Sequence, residues 1–149
     1  MQFFVELWSN GPLKCAMISW AVAQFIKVLI TLRLEKKLDW RRCFGMGGMP
    51  SSHTAFVFSL TMAVAFQDGV SSTAFAISFA LAAVVIYDAM GVRRETGRQG
   101  EVLNQIITHV LVEGKPITEK QLKELVGHSP LEVLGGLIVA VPVTLLIML

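Results

Sequence analysis

The stretch that decides the fold is residues 69–87, GVSSTAFAISFALAAVVIY, which contains no charged side chain. A helix rises about 1.5 Å per residue, so a run of this length crosses an apolar layer roughly 30 Å thick. Two further uncharged stretches, residues 43–67 and 133–149, have the same character. Because only helices and closed barrels satisfy their backbone polar groups in lipid, we predict an all-α integral membrane bundle.

The composition of the whole chain agrees with a membrane protein. Of its 149 residues 54% are apolar and 16% are charged, whereas a soluble domain has roughly 45–50% and about 25%. Disordered chains, secreted mini-proteins and water-soluble enzymes are thereby excluded, and the length allows a single domain, residues 1–149. A net charge of +2 without an aromatic-basic repeat predicts no nucleic-acid partner. Cys15 and Cys43 have no CxxC spacing, so neither a disulfide framework nor a zinc site is indicated.

Four membrane spans are predicted, at residues 12–32, 51–66, 71–90 and 130–149. Between the last two, the polar segment 92–127 carries apolar residues at helical spacing and predicts a cytoplasmic amphipathic helix. Ser71 and Ser72 supply an N-cap for the third span. Gly135 and Gly136 in the fourth span permit close helix packing in lipid.

The basic residues orient these spans. The linker 33–48 carries five Lys or Arg and the segment 92–127 carries six, whereas the turn 67–69 carries none. Both basic segments are therefore expected in the cytoplasm, and two crossings between them agree with that assignment. We expect a plasma-membrane protein with its site at the cytoplasmic face.

Two of the three histidines stand at the start of a span on that face. His53 begins the second span and His128 begins the fourth, so both are expected at the same depth. Helix N-termini present unpaired N–H groups and positive dipole ends, which favours a phosphate or a similar anion between them. Lys27 lies about two-thirds of the way along the first span, and an intramembrane charge is a functional candidate. Snorkelling or pairing with Asp88 is the alternative for Lys27.

Three blocks of sequence resemble the motifs of a known family. They are similar to the divergent bacterial and plant branch of the type 2 phosphatidic acid phosphatases and vanadium haloperoxidases, whose broader patterns are Pro-Ser-Gly-His and Ser-Arg-x5-His-x3-Asp. The resemblance covers most of the chain, from Lys27 to the end. The blocks are Gly47-Gly48-Met49-Pro50-Ser51-Ser52-His53, Tyr87-Asp88-Ala89-Met90-Gly91-Val92-Arg93-Arg94 and Gly127-His128-Ser129-Pro130-Leu131-Glu132-Val133.

The resemblance implies a helical core related to that of these phosphatases and a role for each matching residue. His128 would attack phosphorus and form a phosphohistidine, Glu132 would orient it, and His53 would protonate the leaving oxygen. The residue types suit these roles, because imidazoles act as nucleophiles and proton donors near pH 7. Ser51 and Ser52 would add hydroxyl and backbone donors to the phosphate oxygens.

The sequence departs from the broader family at several positions. Ser52 replaces glycine, Glu132 replaces aspartate, and Leu122 stands where the family has arginine. The family's first motif, Lys-x6-Arg-Pro, is absent, because Lys27 is followed by Arg33 one position early and by no proline.

The phosphate clamp is therefore assigned to other cations. The candidates are Lys27, Arg93 and Arg94, since planar guanidinium groups suit bidentate phosphate contacts. Asp88 would position one of the arginines. Simple positive-inside anchoring is the alternative for Arg93 and Arg94.

Structural interpretations stand beside two of the motifs. Ser129-x-x-Glu132 is also a capping box with Pro130 at the first helical position, which accounts for Glu132 without catalysis. Pro50-Ser51 alone is also typical of a plain helix start.

The expected activity is hydrolysis of a lipid phosphomonoester or pyrophosphate in the bilayer. No metal and no cofactor is expected, and vanadate is expected to inhibit as a phosphate mimic. A non-catalytic membrane protein that keeps an anion pocket for binding, transport or assembly is the alternative. A metal site is a third hypothesis, and its ligands would be His53, His128, Asp88 and Glu132.

A homodimer is expected, because four spans make a small bundle.

Overall fold

The computed structural model describes residues 2–35, 48–91, 99–100, 103 and 130–149, and these contain helices and no strand. The all-α prediction is confirmed for them. The predicted amphipathic helix at 92–127 lies almost entirely outside the described residues. The helices are α1 (Gln2–Ser9), α2 (Gly11–Glu35), α3 (Ser52–Asp68), α4 (Thr73–Met90) and α5 (Pro130–Met148).

Short polar side chains begin three of the helices. The Leu13 N–H donates to Asn10 Oδ1 at 2.9 Å at the start of α2. The Thr54 N–H donates to Ser51 Oγ at 3.3 Å, and the Phe75 N–H donates to Ser72 Oγ at 3.1 Å. The cap at Ser72 confirms the start predicted for the third span.

Three of the helices are long and apolar enough to cross a membrane, at Gly11–Arg33, Thr73–Met90 and Pro130–Met148. The remaining predicted span corresponds to α3, which has 17 residues and a length of about 25 Å. α3 packs against α2, α4 and α5. Its buried positions carry small or hydroxyl side chains because it lies at the centre of the bundle: Ser52, Thr54, Ala55, Val57, Ser59, Thr61, Ala63 and Val64.

α3 and α5 run parallel and start side by side. The Ser51 N–H donates to the Glu132 carbonyl oxygen at 2.8 Å, and further along the Ser59 and Thr144 hydroxyls are 2.6 Å apart. α2 runs the opposite way, since Ser19 lies beside Ser59 and the start of α2 at Gly11 lies beside Gln67 at the end of α3. The starts of the second and fourth predicted spans therefore lie at the same end of the bundle, as alternating crossings require.

Gly136 allows the close approach of α3 and α5. A Cβ atom at this position would lie 2.5 Å from the Ser51 carbonyl oxygen and 2.7 Å from Thr54 Cβ. At Gly135 a Cβ atom would lie 3.2 Å from Pro50 Cβ. The close helix packing predicted at Gly135 and Gly136 is confirmed.

Hydrogen bonds between hydroxyl groups connect the helices inside the bundle. Ser19 Oγ donates to Ser59 Oγ at 2.8 Å, Ser59 pairs with Thr144, and Thr144 Oγ1 also bonds the Ala140 carbonyl oxygen at 2.8 Å. The bundle is thus held by small side chains and hydroxyl pairs, as is typical of helices in lipid. The outer surface carries exposed apolar side chains, among them Ile77, Phe79, Val84, Ile138 and Leu146.

Candidate functional site

The candidate site begins at the junction where the starts of α3 and α5 meet α2. Parallel helices whose first turns lie together present their positive dipole ends to the same place. The Ser51–Glu132 backbone hydrogen bond of 2.8 Å holds these two starts in register. The first turns of both helices therefore form one end of the bundle with a shared preference for negative charge.

Lys27 reaches this junction from α2. Its side chain is 4% exposed, although it is one of the most strongly hydrated side chain types. Gly48, at φ +88°, lies over its aliphatic stem, with the ideal Cβ position 3.6 Å from Lys27 Cδ. The snorkelling alternative does not fit this burial, because a snorkelling ammonium is exposed to water.

Glu132 is the carboxylate that acts electrostatically on Lys27. It lies in the first turn of α5, is half-buried, and carries the carbonyl oxygen that accepts the Ser51 N–H. An acidic residue in a first helical turn is favourable to the helix dipole. Glu132 therefore combines a helix-stabilising position with a place beside the buried cation.

Ser51 and Ser52 are both buried at the start of α3, with 0% and 3% exposure. Ser51 Oγ accepts hydrogen bonds from the Thr54 N–H and from Thr54 Oγ1, the latter at 3.1 Å. The Ser51 N–H is bonded to Glu132, so the backbone donor expected at this residue is already used.

His53 lines a groove of about 380 Å³ on a different side of α3. Residues 53 and 55 are roughly 200° apart around a helix, and Ala55 faces α5 near Gly136. His53 is half-buried among apolar side chains from α2, α3 and α4, namely Met17, Trp20, Phe56, Val57 and Val85. The structure thus brings Lys27, Ser51, Ser52 and Glu132 to the junction and His53 to an adjacent groove.

Asp88 is half-buried near the end of α4. α4 runs opposite to α3, so this end of α4 lies beside the start of α3. The predicted depth of Asp88 therefore agrees with that of His53. The predicted nucleophile His128 and the clamp arginines Arg93 and Arg94 lie outside the described residues.

Sequence reasoning missed the groove residues of α2. The sequence analysis assigns no role to Met17, Trp20 or Gln24. The available signal was spacing, because residues 17, 20, 24 and 27 recur at intervals of three or four and so follow one side of a helix. That pattern links the apolar groove residues to Lys27.

The described part of the chain contains no group of three or more His, Cys, Asp or Glu side chains that could hold a metal ion. His53, Asp88 and Glu132, three members of the hypothetical metal set, are among these residues. His128, the fourth member, is not.

Comparisons with known proteins assign the chain to a family. The profile of the Divergent PAP2 family matches residues 8–143. An uncharacterized membrane protein of Bacillus subtilis (strain 168), YuiD, is 38% identical over 153 residues, covering 96% of this chain and 97% of that protein. No solved structure matches the chain. Because the profile matches residues 8–143 and the relative covers 96% of the chain, the chain belongs to the Divergent PAP2 family.

Proposed function

We propose that this protein is a membrane phosphatase that hydrolyses a lipid phosphomonoester or pyrophosphate. The observation that carries the proposal is the junction itself, where Lys27, 4% exposed, lies beside the first turns of two parallel helices. A buried cation and two helix N-termini are complementary to a multiply charged oxyanion. Family membership supports the reaction class.

The proposed reaction has two steps through a phosphohistidine. A neutral ring nitrogen of His128 attacks the terminal phosphorus and forms an N–P bond. The bond that breaks joins this phosphorus to the oxygen of the lipid alcohol in a monoester, or to the bridging oxygen of the lipid monophosphate in a pyrophosphate. His53 gives its proton to the departing oxygen. Water then attacks phosphorus, His53 takes back a proton, and inorganic phosphate leaves as His128 is regenerated. Such proton transfers contribute roughly 10²–10⁴-fold to the rate of a catalysed reaction.

The remaining residues position the substrate. Glu132 orients His128, and Lys27, Arg93 and Arg94 neutralise the phosphate oxygens. Ser51 and Ser52 donate hydrogen bonds, and Asp88 positions an arginine. These cations supply the positive charge, so the proposal includes no metal or other cofactor and predicts inhibition by vanadate.

Phosphate release by the purified protein from short-chain lipid phosphates tests the reaction. We expect His128→Ala to abolish turnover and His53→Ala to lower it by about 10²-fold or more. His109→Ala is the matched control, because His109 belongs to none of the three motifs. Turnover that survives in His128→Ala, or that falls equally in all three variants, would contradict the proposal.

A non-catalytic anion-binding protein is the second candidate. Leu122 in place of arginine and the absent Lys-x6-Arg-Pro motif favour it. It predicts that vanadate raises the unfolding temperature of the protein while no lipid phosphate is hydrolysed. Turnover that depends on both His53 and His128 would exclude it.

We also propose that this site lies at the cytoplasmic face of the plasma membrane, with the substrate presented by the bilayer.

We further propose a homodimer, because a small bundle leaves packing surface for a second copy. Light scattering in a mild detergent should give the protein mass of two chains. The mass of one chain would refute the dimer.

A further inference from the structure

We infer that α1 (Gln2–Ser9) lies along the surface of the bilayer, at the end of the bundle opposite the candidate site, with Leu7 and Trp8 in the lipid. Its partner is the interfacial layer of the membrane, which it binds through apolar contact and not through charge. This inference is independent of the proposed reaction, because α1 contributes no residue to the junction.

α1 lies beside one end of the bundle and outside its core. α2 begins at Gly11, whose ideal Cβ position is 3.2 Å from Gln67 Oε1 and 3.7 Å from Met148 Sδ, so α2 begins where α3 and α5 end. The span Gly11–Arg33 has 23 residues, about 35 Å, and crosses the apolar layer without α1. Among the described helices, α1 packs only against α2. α1 therefore lies at the membrane boundary.

The chain makes α1 a separate helix and not an extension of α2. Asn10 caps α2, since its Oδ1 accepts the Leu13 N–H at 2.9 Å, and an N-cap residue has non-helical backbone angles. Pro12 has no N–H to donate to the Trp8 carbonyl oxygen, and its ring would clash with that carbonyl in a continuous helix. Because the two helices do not share one hydrogen-bond ladder, α1 can lie flat while α2 crosses.

α1 has one polar side and one apolar side. Gln2, Glu6 and Ser9 recur at intervals of four and three, so they follow one side of the helix. Leu7 and Trp8 lie on the other side and are 44% and 66% exposed. Trp is enriched at the boundary between membrane and water. A short helix that is apolar on one side only suits this boundary better than the bilayer interior or bulk water.

The charge of α1 determines the kind of lipid contact it makes. Residues 1–10 contain one charged side chain, Glu6, and no Lys or Arg. Interfacial helices that are attracted to anionic lipids carry basic residues on their polar side. The contact of α1 with the membrane is therefore apolar, and it should depend neither on salt nor on anionic lipid.

An anchored α1 also fixes the depth of Lys27. Lys27 is 16 residues (27 − 11) from Gly11, about 24 Å along α2. The apolar layer is roughly 30 Å thick, so a Gly11 held at one boundary places Lys27 within about 6 Å of the other.

Fluorescence quenching tests the position of α1 in the full-length protein, reconstituted into phosphatidylcholine vesicles. The dye NBD is attached to Leu7→Cys or, as the matched control, to Ser9→Cys. Both carry Cys43→Ser, and Cys15 is 0% exposed and does not react. Positions 7 and 9 are roughly 200° apart around the helix, which differ in depth by up to about 10 Å. We expect a nitroxide on the lipid chain to quench position 7 about twofold more than position 9, and aqueous iodide to do the reverse.

Loss of the aromatic side chain tests the contact itself. Trp8→Ser should lower nitroxide quenching at position 7 by about twofold or more, because much of the buried apolar area is removed. Gln2→Ser, on the polar side, should leave it unchanged, as should high salt or added phosphatidylglycerol. Equal quenching at positions 7 and 9, an unchanged signal in Trp8→Ser, or dependence on salt or phosphatidylglycerol would overturn the inference. A position 7 that neither quencher reaches, because a second copy covers it, would also overturn it.

A dye on Leu29→Cys, 47% exposed and close to Lys27 in sequence, checks the depth. Position 29 is 18 residues (29 − 11) from Gly11, about 27 Å along α2. Nitroxides near the lipid head group should therefore quench it more than nitroxides at the chain end. Stronger quenching from the chain end would overturn the depth assigned to Lys27.

Discussion

At the scale of single residues, the buried charge of Lys27 lowers the stability of the fold and is complementary to an anion in the candidate site. Its side chain is 4% exposed, and Glu132 acts on it from the half-buried first turn of α5. Burying an ammonium group is unfavourable, because water no longer solvates its charge. A bound phosphate would offset this cost. Stability and ligand binding should therefore respond in opposite directions when the charge is removed.

The first prediction concerns Lys27→Met, which keeps an unbranched stem beneath Gly48. We expect the unfolding free energy in detergent to rise by roughly 1–3 kcal/mol, because a desolvated charge is removed. The shift in unfolding temperature caused by vanadate should shrink, corresponding to at least about tenfold weaker binding, since hydrogen bonds to charged groups contribute about 1.5–3 kcal/mol. Lys14→Met, near the start of α2, is the control and should change neither quantity. Destabilisation by Lys27→Met with undiminished vanadate binding would contradict both the stability argument and the anion-binding role of Lys27.

The second prediction concerns Gly136→Ala. The added Cβ would lie 2.5 Å from the Ser51 carbonyl oxygen, so α3 and α5 must separate. We expect a loss of about 1–3 kcal/mol in unfolding free energy, as is typical of overpacking, together with loss of vanadate binding. Gly135→Ala is the control because its closest approach, 3.2 Å, requires a smaller adjustment. Titration with SDS measures both variants, and equal stabilities would refute the steric argument.

Residue roles could be predicted from sequence where a motif contained the residue or where its type was unusual for its position. Lys27 was identified because a charge inside an apolar span is unusual, and Gly136 because small residues permit close packing. Trp20 was not assigned to a groove, since an aromatic side chain in a membrane helix has many ordinary positions. The partners of Ser51 also could not be predicted, because Glu132 is distant in sequence.

At the scale of helices, hydrogen bonds between hydroxyl groups determine which elements are tied together. Ser59 of α3 bonds Ser19 of α2 at 2.8 Å and pairs with Thr144 of α5 at 2.6 Å. All three residues are fully buried. In lipid the hydrophobic effect does not drive helices together, so these contacts and close packing contribute a large share of the association.

The third prediction is that Ser59→Ala weakens this connection. Each interhelical hydrogen bond contributes about 0.6 kcal/mol on average in membrane proteins, so losing two should cost about 1 kcal/mol. Thr144→Val should cost a similar amount. The double variant should cost less than the sum of the two single losses, because both substitutions remove the same Ser59–Thr144 hydrogen bond. Ser71→Ala, at an exposed position, should have no effect. Full additivity in SDS unfolding would show that the two hydroxyls are not coupled.

At the scale of the whole molecule, alternation of direction is the feature that sequence predicted best. Charge asymmetry between segments predicted that the second and fourth spans start at the same end, and the Ser51–Glu132 contact agrees. The predicted ends of the spans are within three residues of the observed helices. α3 has 17 residues and agrees with the short second span predicted at residues 51–66. The helix Gln2–Ser9 was not predicted.

The fourth prediction tests the orientation in intact cells. Gln67 and Asp68 are exposed at the end of α3, next to the turn that leads to α4, and we expect this end outside the cell. A membrane-impermeant maleimide should label Gln67→Cys directly, but native Cys43 in the basic linker only after permeabilisation. Cys15 is 0% exposed and should not react in either case. Labelling of Cys43 before permeabilisation would reverse the orientation.

The contact between Ser51 and Glu132 has a consequence for biosynthesis. It joins positions separated by 81 residues (132 − 51), so the junction does not exist until the last helix has been translated and inserted. A nascent chain that has released only α2, α3 and α4 carries Lys27 without the first turn of α5 beside it. Chains truncated before residue 130 would therefore insert Lys27 into the bilayer without the Glu132 carboxylate that acts on it in the finished bundle.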